Sequence, residues 1–155
     1  MSSGSTSPSA VLPLNRYGQP YSLVEPESTT AADQRYLQTT STVAAPTLAT
    51  QGVPTRSADS VVLRYSHNGN GSSDGAAQGY AYYTPQAAWV LVADEAAATS
   101  WAIKNTATQK SGTKTFDVQG ADRVYVAVSS LPSHASAATL DIWLLGRSAP
   151  PVTGV

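Results

Sequence analysis

From Ser60 onward, apolar residues return at every second position in short runs, and this constrains the fold more than any other feature of the chain. A period of two puts successive side chains on opposite faces of an extended backbone, so each run buries one face. "SVVLRYS" sets Val61, Leu63 and Tyr65 on one side, and "TSWAIKNT" sets Trp101 and Ile103 against Lys104. "TKTFDVQ" points Phe116 and Val118 together, with Lys114 and Asp117 opposite or at the edge. "DRVYVAVSS" sends Val124, Val126 and Val128 inward and Arg123 and Tyr125 outward. "ATLDIWLLG" does the same with Leu140, Ile142 and Leu144 against Asp141 and Trp143. With "QGYAYYT" and "AAWVLVA", the second apolar on both faces, the count is seven strands, separated by turn signals such as "QKSG", "QGAD" and "LPSHAS". Short strands at this spacing predict an all-β domain over residues 60–147, an antiparallel, jelly-roll-like β-sandwich. In that domain a helix fits only "ADEAAATS", for one or two turns.

The preceding stretch has neither period. Residues 1–59 hold six of the ten prolines, at 8, 13, 20, 26, 46 and 54, with Ser, Thr, Ala and Gly filling much of the space between. Proline lacks a backbone donor and biases its predecessor toward extended conformations, so this segment reads as a long extended N-terminal arm. "STTAADQRYLQTT" offers the one short helix, with Ser28 or Thr29 as its cap. A disordered tail is poor in large apolar residues, whereas this one carries Leu14, Tyr17, Tyr21, Leu23, Tyr36 and Leu37. An arm with anchors and no core of its own is expected to dock on another surface. Residues 148–155 form a second short extended tail.

Composition removes several function classes. Charged residues are 12% and the net charge is −1, with the six basic residues after Asp59 scattered, which argues against a nucleic-acid partner. No apolar run is long enough to cross a membrane as a helix, and the first residues lack a secretory pattern, so synthesis in a cytoplasm is expected. The chain has no cysteine, which excludes disulfides and thiolate chemistry.

Catalytic and metal-binding sets are expected to be absent. The two histidines, His67 and His134, lie in predicted loops and read as exposed, and no strained turn frames a serine nucleophile. No pair among Asp94, Glu95, Asp117, Asp122 and Asp141 is selected for glycoside hydrolysis. The loop 66–77, "SHNGNGSSDGAA", offers oxygens from Asn68, Asn70 and Asp74 and sharp turns at its glycines. A calcium site needs several carboxylates, and this loop has one, so it reads as a connector or a surface contact. No cofactor fingerprint is present. Tyr80, Tyr82, Trp89 and Trp143 remain as aromatics that could stack a sugar or lie in a protein interface. The apolar character of "AAWVLVA" and "DIWLLG" favours the interface.

The stretch "GADRVYVAVSSLPSHASAATLDIWLLGRS", with a Ser/Thr/Pro/Ala-rich arm before a cysteine-free β domain, resembles structural proteins of tailed bacteriophages, capsid cement (decoration) proteins in particular. The resemblance implies a virion protein assembled in the host cytoplasm, with no active site. It also implies a homo-oligomer, a trimer or a dimer, bound to the major capsid protein or to other virion proteins. A head–tail connector, a tail or receptor-binding component and a carbohydrate-binding β-sandwich module are the alternatives.

Overall fold

The computed structural model describes residues 35–55, 58–92 and 100–147, together with the backbone of Tyr21–Ser22. The strands are β1 (Tyr21–Ser22), β2 (Tyr36–Thr39), β3 (Val53–Pro54), β4 (Ser60–His67), β5 (Gly75–Tyr83), β6 (Ala88–Val92), β7 (Trp101–Ile103), β8 (Ser111–Asp117), β9 (Arg123–Ser130) and β10 (Leu140–Arg147). They make two five-stranded antiparallel sheets packed face to face, a β-sandwich. In the first sheet β4 lies between β10 and β8, while β1 and β2 share the other edge of β10. In the second, β9 and β5 are central, β3 flanks β9, and β6 and β7 share the far side of β5. All seven strands expected after Ser60 are present. The helical content among the described residues is a single 3-10 turn at Thr84–Gln86.

The alternating runs form the interior as their period requires. Leu63, Ile103, Val118, Val126, Val128, Leu140 and Ile142 are fully buried. Leu63 lies opposite Leu144 and Tyr65 opposite Ile142 across the β4–β10 ladder, so one face of that pair is continuously apolar. The facing strand β5 contributes small residues, Ala77, Gly79 and Ala81. That leaves room for Phe116, whose ring atoms would stand 3.4 Å from a Cβ placed at Gly79. Trp101 stacks on the same ring at a centroid distance of 6.4 Å. Burying side chains of this size contributes about 1.5–3 kcal/mol each, and this is the main force holding the sheets together.

Several expectations are corrected. The domain boundary does not fall at residue 59, because residues 35–55 belong to the sandwich. Tyr36 and Leu37 lie in β2, paired with Trp143 and Ile142, and Leu37, Val43 and Val53 are in the core. Their destination is this chain's own sheets. The end of the expected helix over residues 28–40 is strand instead, since side-by-side pairing with β10 satisfies the backbone of Tyr36–Thr39. Tyr125 points away from the sandwich interior, as alternation demands, yet is 1% exposed. The segment from Val43 to Val53 covers it, held by the Val43–Val128 bridge and by Arg123, which donates to the carbonyls of Thr50, Gln51 and Gly52. Gly52 has φ +73°, and a Cβ there would run into the carbonyl oxygen of Val124, so this close crossing needs glycine. His67 ends β4 and is buried, where an exposed loop residue was expected. The short helix expected over residues 93–100 and the tail 148–155 lie outside the described residues, except Ser100.

Candidate functional site

Alternation and the β5–β6 hairpin bring three of the four candidate aromatics together. Tyr80 and Tyr82 project from the outer face of β5. Trp89 lies opposite Tyr82, and Leu91 opposite Tyr80. Tyr125 of β9 lies opposite Tyr80 from the other side. The Tyr82 and Trp89 rings are 5.3 Å apart at 58°, and Trp89 meets Tyr125 edge-on at 5.9 Å. The indole N–H of Trp89 donates to the Leu48 carbonyl at 3.0 Å. Burial pushes the Tyr125 phenol above its ordinary range. These rings therefore pack largely on one another. What they leave open is apolar: Leu48 is 61% exposed, Val90 45% and Leu91 36%. They are the large hydrophobic residues exposed among the described residues, and all three lie on β6 or against its tryptophan.

Trp143 is not part of this group. It sits on the outer face of the other sheet beside Tyr36, with centroids 5.3 Å apart. The Tyr36 hydroxyl donates to Asp141 Oδ1 at 3.0 Å, and Gln38 Nε2 donates to the same oxygen at 2.8 Å. Desolvation, and after it Asp141, pushes the Tyr36 phenol above its ordinary range. Tyr36 and Leu37 are thus placed as parts of the sandwich. The side chains of Leu14, Tyr17, Tyr21 and Leu23 lie outside the described residues.

The 66–77 loop forms a polar cluster with two other loops at one end of the sandwich. Asn105 is its centre and is 5% exposed. Its Nδ2 donates to the carbonyls of Ser73 and Ser133 at 3.0 Å each, its Oδ1 accepts from Lys110 Nζ at 3.2 Å, and its N–H donates to Asp74 Oδ1 at 2.8 Å. Lys110 also donates to the Gly69 carbonyl. Lys104 Nζ reaches Asp74 Oδ2 at 2.9 Å. The Lys104 hydrogen bond, and then the Asn105 N–H, hold the Asp74 carboxyl below the usual carboxylate range.

The oxygens that suggested a cation are used inside this cluster. Asn68 Oδ1 accepts from Thr139 N–H and Asn70 Oδ1 from Ala135 N–H. Among the described residues no three metal-ligating side chains converge. His67 accepts the Gly69 N–H on Nδ1, which fixes the proton on Nε2, where it is donated to the Lys104 carbonyl. His134 Nδ1 accepts the N–H groups of Ser136 and Ala137, with Ser136 Oγ at 3.3 Å, which is the geometry of a turn cap. Asn105, Lys110 and Ser133 escape a reading of the sequence because most of their partners lie 28 or more positions away, in loops without period. Leu48 escapes for the same reason.

Comparison with family models, with curated proteins and with solved structures finds no match. The function must therefore be argued from the chain itself.

Proposed function

We propose that this chain is a non-enzymatic structural protein of a tailed-phage virion, a capsid cement protein whose N-terminal residues bind the shell. One observation carries the reading. Leu14, Tyr17 and Leu23 are apolar residues of a proline-rich segment with neither helix nor strand period, while the described core, from Leu37 to Leu144, is built by the strands of the sandwich. The arm of this proposal is accordingly shorter than residues 1–59 and ends before Arg35. Where it is described, at β1, it pairs with the end of β10, Tyr21 opposite Arg147 at the sheet edge. An extended segment can wrap a large surface at the cost of its ordering entropy, and repetition over equivalent sites on a shell offsets weak individual contacts. A net charge of −1 suits close packing on such a shell.

The test is binding to empty capsids built from the major capsid protein of the same virus. Replacing Leu14, Tyr17 and Leu23 together by alanine is expected to weaken binding at least about tenfold, since each lost apolar anchor removes on the order of 1 kcal/mol or more, while melting of the sandwich stays unchanged. Unaltered capsid binding by that variant would refute the arm. A second reading, a carbohydrate-binding module, is favoured by the shared face of Tyr80, Tyr82 and Trp89. It requires glycan binding that disappears on Tyr80→Ala, with the three arm positions dispensable.

A further inference from the structure

The two long exposed edges of the sandwich differ in a way that bears on a partner. Strand edges carry unpaired N–H and C=O groups that template pairing with another strand, and proteins guard them with charge, proline or brevity. β8 is the outer strand of the first sheet and carries Lys114 at its centre. Pairing of β8 with a second copy of itself about that centre would set Lys114 against Lys114. The strands β1, β2, β3 and β7 span four residues or fewer, and β3 ends in Pro54. β6 has none of these guards. It reads Ala-Trp-Val-Leu-Val, pairs with β5 on one side, and carries no other strand on its second side among the described residues.

The occupant that fits is a second β6. Antiparallel pairing about a two-fold axis at Val90 sets Val90 opposite Val90, Trp89 opposite Leu91 and Ala88 opposite Val92. No like charges meet in this register. Because the side-chain period is two, the Trp89 and Leu91 faces of both copies fall on the same side of the joined sheet. Leu48, beside Trp89, would then border the seam on that side in each copy. Val90 faces the other way, toward the interior side. There Phe116 of β8 already covers Gly79 on β5, and β6 is one strand further out than β5. The 45% exposure of Val90 follows from that overhang. We infer that β6 is the contact strand of a two-fold homodimer, in which two sandwiches join their second sheets edge to edge around Val90. The interface is self-complementary, as closed two-fold symmetry requires. This holds whether or not the chain binds a capsid.

Sedimentation of the full chain across a concentration series tests it. The expected species has twice the 16.1 kDa chain mass, and Val90→Lys is expected to return it to a monomer with its β-sheet spectrum unchanged. Val90→Cys gives an independent reading in a chain without cysteine. Directly opposed residues in an antiparallel pair have Cα atoms about 4.5–5.5 Å apart, within disulfide reach. Mild oxidation of that variant is expected to yield a covalent dimer, and Thr113→Cys on β8 to remain single. A wild-type monomer throughout the series overturns the inference. So does a dimer that survives Val90→Lys and is not linked by Val90→Cys. Dissociation by the Leu14, Tyr17 and Leu23 alanine variant, with Val90→Lys inert, would assign the dimer to the N-terminal segment instead.

Discussion

The loop cluster around Asn105 and the strand β6 sit on one sandwich and are finished in opposite ways. In the cluster, donors and acceptors close on one another: Asn105 uses both its amide nitrogen and its oxygen, and Asp74 uses both carboxylate oxygens. At β6 the side chains of Val90 and Leu91 are exposed, and among the described residues no strand pairs with its outer backbone edge. A loop rich in Gly, Ser and Asn, which reads as a connector or a surface contact, spends its polar groups on holding one end of the fold. A run apolar on both faces, which reads as an interface, is exposed at Val90 and Leu91.

The largest effect expected of this contrast is at Asn105. Asn105→Ala removes a side-chain donor from two loop carbonyls, which keep their backbone donors, and an acceptor from Lys110, and should cost about 1–3 kcal/mol in denaturant melts. If it cost no more than an exposed surface change, the cluster would not be the closed element described here. Acid should then separate the regions further. The folded Asp74 carboxyl is held below its ordinary value of 3.8, so its contribution is full above that value and is lost as pH falls through the lower, folded one. Asp74→Asn should flatten the acid limb of the stability curve below about pH 4, while Val90→Lys should leave its shape alone. The smallest effect lies under the aromatic face. The Tyr125 and Tyr36 phenols are raised, so the stability they lend is present below the ordinary tyrosine range and falls as pH rises through their folded values. In an absorbance titration Tyr36 and Tyr125 should ionise late, and one of these late steps should disappear in Tyr125→Phe.

Much of this molecule could be read from its residues, for a physical reason. Strands β4, β5 and β7 to β10 satisfy a local rule, alternation, and each of these runs announces its own buried face. Tyr80, Tyr82 and Trp89 could be grouped because a hairpin keeps near neighbours in register. Leu37 and Val43 could not be assigned, since their burial depends on β10 and β9, roughly a hundred positions away, and four residues are too few to show a period. Tyr125 misleads for the complementary reason. Alternation gives its direction correctly but says nothing of the Val43–Val53 segment that lies over it. Asn105 carries no local signal at all, because its role exists only where three loops meet.

The pairing of β1 with the last two residues of β10 also has a mechanical meaning. Tyr21 is opposite Arg147 in an antiparallel ladder, so the chain enters and leaves this edge at neighbouring points. Tension applied between the two flanks loads that ladder one rung at a time, as a zipper is loaded, and not along its length in shear. With two paired positions it is the weaker ladder under such a load, against the eight of the β4–β10 ladder beside it.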